Sequence, residues 1–179
     1  MSYFDRLRAA ADFTQKMGWT SPVNRFPPKR PPSILNKINR NSINAFAEHT
    51  LAKDGAFKCL NTTLSLHNFL WDNNIPCFYT AGHVQWMGQT HFKCSEPLIE
   101  EWKAHGIPNV HDIHIHAWCT LHSGDVIDAS FLTSCASLYS NDLYKHKVVY
   151  WNEELVSDFI YYPLLLGQEW ALKLGLQCS

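Results

Sequence analysis

The sequence predicts an α+β fold in which a buried, cysteine-bearing helix packs on an antiparallel sheet with further helices flanking it. Three observations predict this. Apolar residues recur at helical spacing over 3–18, 43–53 and 58–72. Extended runs with a period of two follow over 77–86, 111–121 and 125–130. The two patterns come in blocks and not as repeating βαβ units, and segregated blocks mark an α+β chain.

The first helix, 3–18, sets Phe4, Leu7, Ala11 and Phe13 or Met17 on one side, and Gly18 is its stop. Pro22, Pro27, Pro28, Pro31 and Pro32 then rule out helix or central strand, so an extended arm follows. Residues 1–32 therefore read as a helix with an arm, and 33–179 as a single α+β domain, the one that carries every candidate site residue named below. Ser42 is placed to cap a helix over 43–53 with Ile43, Phe46, Ala47 and Thr50 or Leu51 inward. Gly55 precedes the helix at 58–72. Its apolar residues, Leu60, Leu64, Leu66, Phe69, Leu70 and Trp71, cover too wide an arc for a surface helix. Asn73-Asn74 ends it, and Ile75-Pro76 opens the strand at 77–86, with Phe78, Thr80, Gly82, Val84 and Trp86 on one face. A loop-rich stretch at 88–110 holds a short helix at 97–105. His122-Ser123-Gly124 turns the strand at 111–121 back into the one at 125–130. Another strand covers 147–151, and 152–176 reads as mainly helical with a break near Pro163.

Composition narrows the function. The chain has 179 residues, enough for one domain with a real core, and 46% hydrophobic against 17% charged residues argues against wholesale disorder. A net charge of −1 disfavours nucleic-acid binding by bulk electrostatics. No run reaches the ~20 apolar residues of a membrane span, and the first residues lack a charged-then-apolar leader. The expected address is the cytoplasm, with export as an effector without a standard signal left open. There the six cysteines are expected as thiols. No C-x-x-C pair supports a structural zinc site.

Of the six cysteines, Cys59 stands at the start of the long buried helix. Unpaired N–H groups and the positive dipole end favour thiolate there. The plain alternative is a small buried hydrophobe. In the run His111-Asp-Ile-His-Ile-His-Ala-Trp-Cys119, alternation sets Asp112, His114, His116 and Trp118 on one face, and Ile113, Ile115, Ala117 and Cys119 on the other. Asp128 follows after the turn, between Ile127 and Ala129. Aspartate is disfavoured inside strands and wants a partner. The turn would bring it near the His116 strand. Its plain alternative is a strand-end carboxylate bonded to backbone. As a set, imidazole takes the thiol proton, carboxylate fixes the ring, and amides at the cysteine helix receive the oxyanion.

These residues resemble a known family. Cys59 with Leu64, Phe69-Leu70 and Asn74-Ile75-Pro76, then His116-Ala117-Trp118, then Val126-Ile127-Asp128-Ala129-Ser130, resemble the transglutaminase-like cysteine-protease superfamily. The resemblance covers roughly 55–130. It implies a papain-like core, with Cys59 as nucleophile, His116 as general base and Asp128 as orienting acid. Lys53 stands where a papain-like enzyme offers glutamine. The oxyanion donors are therefore expected to be backbone amides, with Gln85 as the side-chain candidate. Trp118 is the candidate groove residue that shields the imidazole–thiolate pair.

The expected function is a thiol enzyme acting on an amide or acyl bond through a thioester. A hydrolase (peptidase, amidase or deamidase) is favoured over an acyltransferase. Its partner is a protein, peptide or small-amide substrate, with no cofactor, nucleic acid or membrane. The sequence sets no oligomeric state. Two other classes compete. A metal site would use His114 and His116 with Asp112 and a further ligand such as His83, His91 or His122. His111 points to the opposite face. A non-enzymatic interaction domain would keep the fold and use the proline arm and aromatics.

Overall fold

The structure is a computed structural model that describes residues 1–22, 26–27, 29–54 (backbone only at 52–54), 58–108, 113–155 and 158–176. Among the described residues the helices are α1 (Tyr3–Lys16), α2 (Arg40–Asp54), α3 (Cys59–Asp72), α4 (Glu96–His105), α5 (Phe131–Tyr139) and α6 (Glu169–Lys173). The strands are β1 (Cys77–Trp86), β2 (Gln89–His91), β3 (His116–Leu121), β4 (Val126–Asp128), β5 (Val149–Trp151) and β6 (Phe159–Leu166). The strands form one antiparallel sheet in the order β2-β1-β3-β4-β5, and β6 pairs with β1. The fold is α+β, with the cysteine-bearing helix buried on one side. No helix among the described residues is long and apolar enough to cross a membrane.

The chain divides into two compact units. The first comprises Met1–Arg30, Thr80–Ala117 and Glu153–Ser179; the second comprises Pro31–Tyr79 and Trp118–Asn152. In the first unit, α1 starts at a capping box. The Ser2 hydroxyl accepts from the Asp5 N–H (3.1 Å), and the Asp5 carboxylate accepts from the Ser2 N–H (3.3 Å). Its buried face, including Phe4, Leu7, Ala11 and Thr14, packs along β6. Thr14 Oγ1 donates to the Ala10 carbonyl (2.7 Å) and accepts from the Leu166 N–H (3.0 Å). In the arm, Arg8 donates to the Pro27 carbonyl (2.6 Å), and Phe26 meets the Phe4 ring edge-on.

The second unit closes around one core. Leu35, Ile43, Ala47 and Leu51 meet Leu66 and Leu70 of α3 together with Cys77, Cys119, Leu121, Ile127 and Ala129 of the sheet region. Full burial of each large aliphatic side chain contributes about 1.5–3 kcal/mol. Phe46 and Phe69 stack at 4.4 Å where α2 crosses α3.

Several expectations shift. The strand expected from 111 begins only at His116, with 113–115 irregular and 111–112 outside the described residues. Both faces of β3 are buried, the one bearing His116 and Trp118 as well as the one bearing Ala117 and Cys119. Asn39, ahead of α2, supplies the capping oxygen expected of Ser42: its Oδ1 accepts from the Ser42 N–H (3.3 Å). The buried stripe of α3 is Cys59, Thr62, Thr63, Leu66 and Leu70, while Trp71 turns outward. The wide apolar arc therefore overstates its burial, because two threonines occupy inward positions. Over 152–176, expected mainly helical, the chain forms strand β6 and only the short helix α6 after it. Phe159-Ile-Tyr-Tyr favours a strand. Pro163, which lacks an N–H, sits opposite Gly82 at an irregularity in the β1–β6 ladder.

Candidate active site

Cys59 is the first residue of α3 and is buried. Lys58, at the cap position, makes no side-chain capping bond, and the first intrahelical bond runs from the Thr62 N–H to the Lys58 carbonyl (3.0 Å). The amides of Cys59, Leu60 and Asn61 thus precede the helical ladder, at the positive end of a 14-residue helix. Tyr79 comes to the same turn from β1: its hydroxyl donates to the Leu60 carbonyl (3.1 Å). Burial pushes that phenol well above its usual range, and Cys59 and Cys119 push it further, so it is a neutral donor at physiological pH. Sequence reasoning passes over Tyr79. Its aromatic ring in a strand gives no sign that the hydroxyl reaches the cysteine helix.

His116 opens β3 and is fully buried, and its ring stacks on Phe92 at 5.0 Å. His91 feels it: burial first, and then His116, lower the pKa of the His91 imidazole. Phe92 holds a left-handed backbone (φ +55°), which swings its ring back after β2.

Asp128 closes β4 and is fully buried. One of its oxygens accepts from the Ser130 and Phe131 N–H groups, both at 3.0 Å. That oxygen therefore caps the start of α5, a helix that the sequence pattern does not single out. An aspartate two residues before a serine and an apolar run is the available signal. Asp128 also disfavours thiolate nearby. Burial and then Asp128 push Cys135 up to about 12, and burial, Cys77 and Asp128 push Cys119 well above its ordinary range.

Strand alternation sorts the rest. In the second unit Cys119 and Leu121 meet α3, and the Cys119 thiol lies 3.7 Å from the Thr63 carbonyl oxygen. Trp118 and Thr120 take the other face of β3. Cys119 pairs with Ile127, and the same register carried one residue on sets Trp118 opposite Asp128. Trp118 is fully buried, so it is a core residue on the Asp128 face. Gln85, in the first unit, pairs with Thr90 and Ile160, and its side-chain oxygen accepts from the Tyr162 hydroxyl (3.2 Å).

Cys59, Trp118 and Asp128 belong to the second unit, and His116 and Gln85 to the first; the division falls between Ala117 and Trp118 inside β3. His114, the other half of the metal reading, is exposed in the irregular stretch before β3. Among the described residues no group of three or more His, Cys, Asp or Glu is arranged to hold a metal ion. His111 and Asp112 lie outside the described residues. His83 stacks on Tyr162 and His122 on Phe78, at 4.7 and 4.5 Å. The five described cysteines are thiols outside any disulfide.

Comparison with protein-family models, with curated proteins and with solved structures found no match to this chain.

Proposed function

We propose that this protein is a cytoplasmic thiol enzyme acting on an amide or related acyl bond, of transglutaminase-like type, with Cys59 as nucleophile, His116 as general base and Asp128 as the acid that orients it. The observation that carries the reading is Cys59 itself: a buried thiol at the first position of a long helix, ahead of the first intrahelical bond. At that position the first-turn amides stand ahead of the helical ladder, where they can receive the oxygen of a carbonyl that the sulfur attacks. Support comes from the burial of His116 and Asp128, since burying ionisable groups is costly unless they are bonded. The His116-Ala117-Trp118 and Ile127-Asp128-Ala129-Ser130 stretches add the resemblance.

The chemistry runs in two steps. His116 takes the Cys59 thiol proton as the sulfur attacks the carbonyl carbon, and the first-turn amides receive the negative charge on oxygen. The imidazolium of His116 returns its proton to the leaving amine as the C–N bond breaks, leaving a thioester. Water, deprotonated by His116, then attacks the thioester carbon and expels the thiolate. An amine acceptor in place of water makes the same site an acyltransferase; hydrolysis is the favoured outcome.

The test is acylation by an activated ester, p-nitrophenyl acetate, followed by mass mapping. A thioester on Cys59, with Cys59→Ser and His116→Gln each lowering turnover by about 10³-fold or more, supports the proposal. Labelling spread evenly over the cysteines, or turnover indifferent to His116→Gln, overturns it. Asp128 carries a second reading, because its bonds to the Ser130 and Phe131 amides give it a capping role without catalysis. Asp128→Asn keeps an oxygen for those amides. A loss of turnover with unchanged stability then separates orienting acid from cap.

A further inference from the structure

The last turns of α3 carry a polar cluster of their own. His67 and Trp71 stand four residues apart on the helix, and their rings lie 6.1 Å from each other. The indole Nε1 is 3.1 Å from His67 Nε2. The same Nε1 is 3.2 Å from the carbonyl oxygen of Cys77, the first residue of β1. An indole nitrogen only donates, so His67 Nε2 is an acceptor here and carries no proton. The ring proton is then on Nδ1, which faces Asn68 Oδ1 at 3.5 Å. The indole N–H thus divides between two acceptors and ties the end of α3 to the start of β1. Trp71 is 44% exposed and His67 half-buried, so both reach solvent.

Protonation reverses the roles. A proton on Nε2 sets two N–H groups against each other across 3.1 Å, and an attraction becomes a repulsion. The Cys77 carbonyl is within reach of the charged ring. That carbonyl and Asn68 raise the pKa of His67, while burial, the largest cause, holds it below its ordinary value. Two donors then compete for one carbonyl, and the imidazolium is the stronger because its bond is charge-assisted. On β1 the titratable group here is the Cys77 thiol, which is buried in the core. From α2 the contact with this part of α3 is the apolar stack of Phe46 on Phe69. No charged side chain is among the causes of the His67 shift. The turn after α3 does not depend on the indole: the Asn74 N–H donates to the Trp71 carbonyl (3.0 Å) and the Ile75 N–H to the Leu70 carbonyl (2.8 Å).

We propose that His67 and Trp71 form an acid-released latch: protonation turns His67 Nε2 from acceptor to donor, the imidazolium takes the Cys77 carbonyl, and the Trp71 indole swings out to solvent. Neutral pH closes the latch and mildly acidic pH opens it. Opening exposes an aromatic side chain where α3 gives way to β1, while the backbone bonds of the turn persist.

The experiment is an NMR titration of the full chain from about pH 8 down to about pH 4.5, across the histidine range. It reads the Trp71 indole N–H, assigned by its loss in Trp71→Phe, and the His67 ring nitrogens, assigned by their loss in His67→Gln. At the upper end His67 Nε2 should give the signal of an unprotonated acceptor. The Trp71 indole signal should then move with the His67 titration, at the same midpoint. Its exchange with solvent should quicken by about fivefold or more, as expected for the loss of one hydrogen bond. In His67→Gln the indole signal should no longer titrate, and the remaining tryptophans are the internal control. An Nε2 already protonated at the upper end, an indole that stays still while His67 titrates, or an indole titration that persists in His67→Gln overturns the proposal. So does acid unfolding ahead of the His67 titration.

Discussion

Replacing Asp125 should damage this protein more than replacing any exposed acid, and the structure supplies the size of the effect. Asp125 is fully buried beside the 121–124 turn. One carboxylate oxygen accepts three bonds: from Ser33 Oγ (3.0 Å), the Ile34 N–H (2.8 Å) and Ser123 Oγ (2.7 Å). The other accepts from the Asn152 amide. The carboxylate thus ties residues 33–34 and 152 to the β3–β4 turn, at both ends of the second unit. Asp125→Ala removes every acceptor and strands the donors. Hydrogen bonds to a charge are worth about 1.5–3 kcal/mol each, but they share one group and do not add. Breaking such a buried network costs about 3–5 kcal/mol, a large part of a total of about 5–15 kcal/mol. With a urea slope near 2 kcal/mol per molar, the midpoint should fall by about 1.5–2.5 M. Asp125→Asn should cost less, about 1–2 kcal/mol. Its oxygen still serves the three-donor side, and its NH₂ meets Asn152, whose own amide can turn to present oxygen. Urea unfolding of the two variants checks both the size and the order. A loss below about 1 kcal/mol for alanine, or an asparagine variant no better than alanine, would refute the reasoning.

Further outcomes follow from other buried groups. A Cβ at residue 82 would lie 2.0 Å from the Tyr162 carbonyl oxygen, so Gly82→Ala should cost at least about 2–3 kcal/mol; an unchanged thermal midpoint would contradict it. Thr14→Val strands the Leu166 N–H and should cost about 1–3 kcal/mol, with faster hydrogen exchange at that amide. Burial pushes the Cys94 and Cys135 thiols from 9.0 up to about 12. The fold then keeps protons that the unfolded chain releases. Their contribution is complete below about pH 9 and is lost as pH rises toward about 12, by up to about 1.4 kcal/mol per pH unit for each thiol. Urea midpoints at pH 8 and pH 10.5 should show the drop, and Cys135→Ala should reduce it.

Much of the architecture is legible because local signals agree with the final packing. The helix at 58–72 and the strand at 77–86 emerge within a residue of α3 and β1, since Asn73-Asn74 and Ile75-Pro76 punctuate the chain where the structure does. Asn74 takes a left-handed backbone (φ +59°) at that break. The C-terminal strand β6 is hidden by Pro163, which reads as a helix break until its partner is known to be Gly82. Helix α5 is hidden for a different reason: its cap is a side chain two residues upstream, in a strand. At the candidate site, the helix start at Cys59 is legible from sequence. The Tyr79 hydroxyl on Leu60 and the Phe92 ring on His116 are not, because both depend on tertiary approach.

Asp125 and Asp128 stand three residues apart, both fully buried, and differ in how their carboxylates are held. Both oxygens of Asp125 accept bonds from side chains or amides, which accounts for its burial within its own unit. Asp128 takes two amides on one oxygen, and they fix that carboxylate at the end of β4. Asp128 is enclosed at the end of a buried strand, on the Trp118 face of β3 and β4. Burial is the first cause of the upward shifts of the Cys119 and Cys135 thiols, and the nearby Asp128 carboxylate adds to both. A carboxylate held rigidly by two amides and shielded from water is suited to orient an imidazole, because its position does not depend on the ring it would orient. Under the proposed mechanism, capping and orienting are therefore compatible demands on Asp128: the two amides that seat the carboxylate would also hold it for the imidazole.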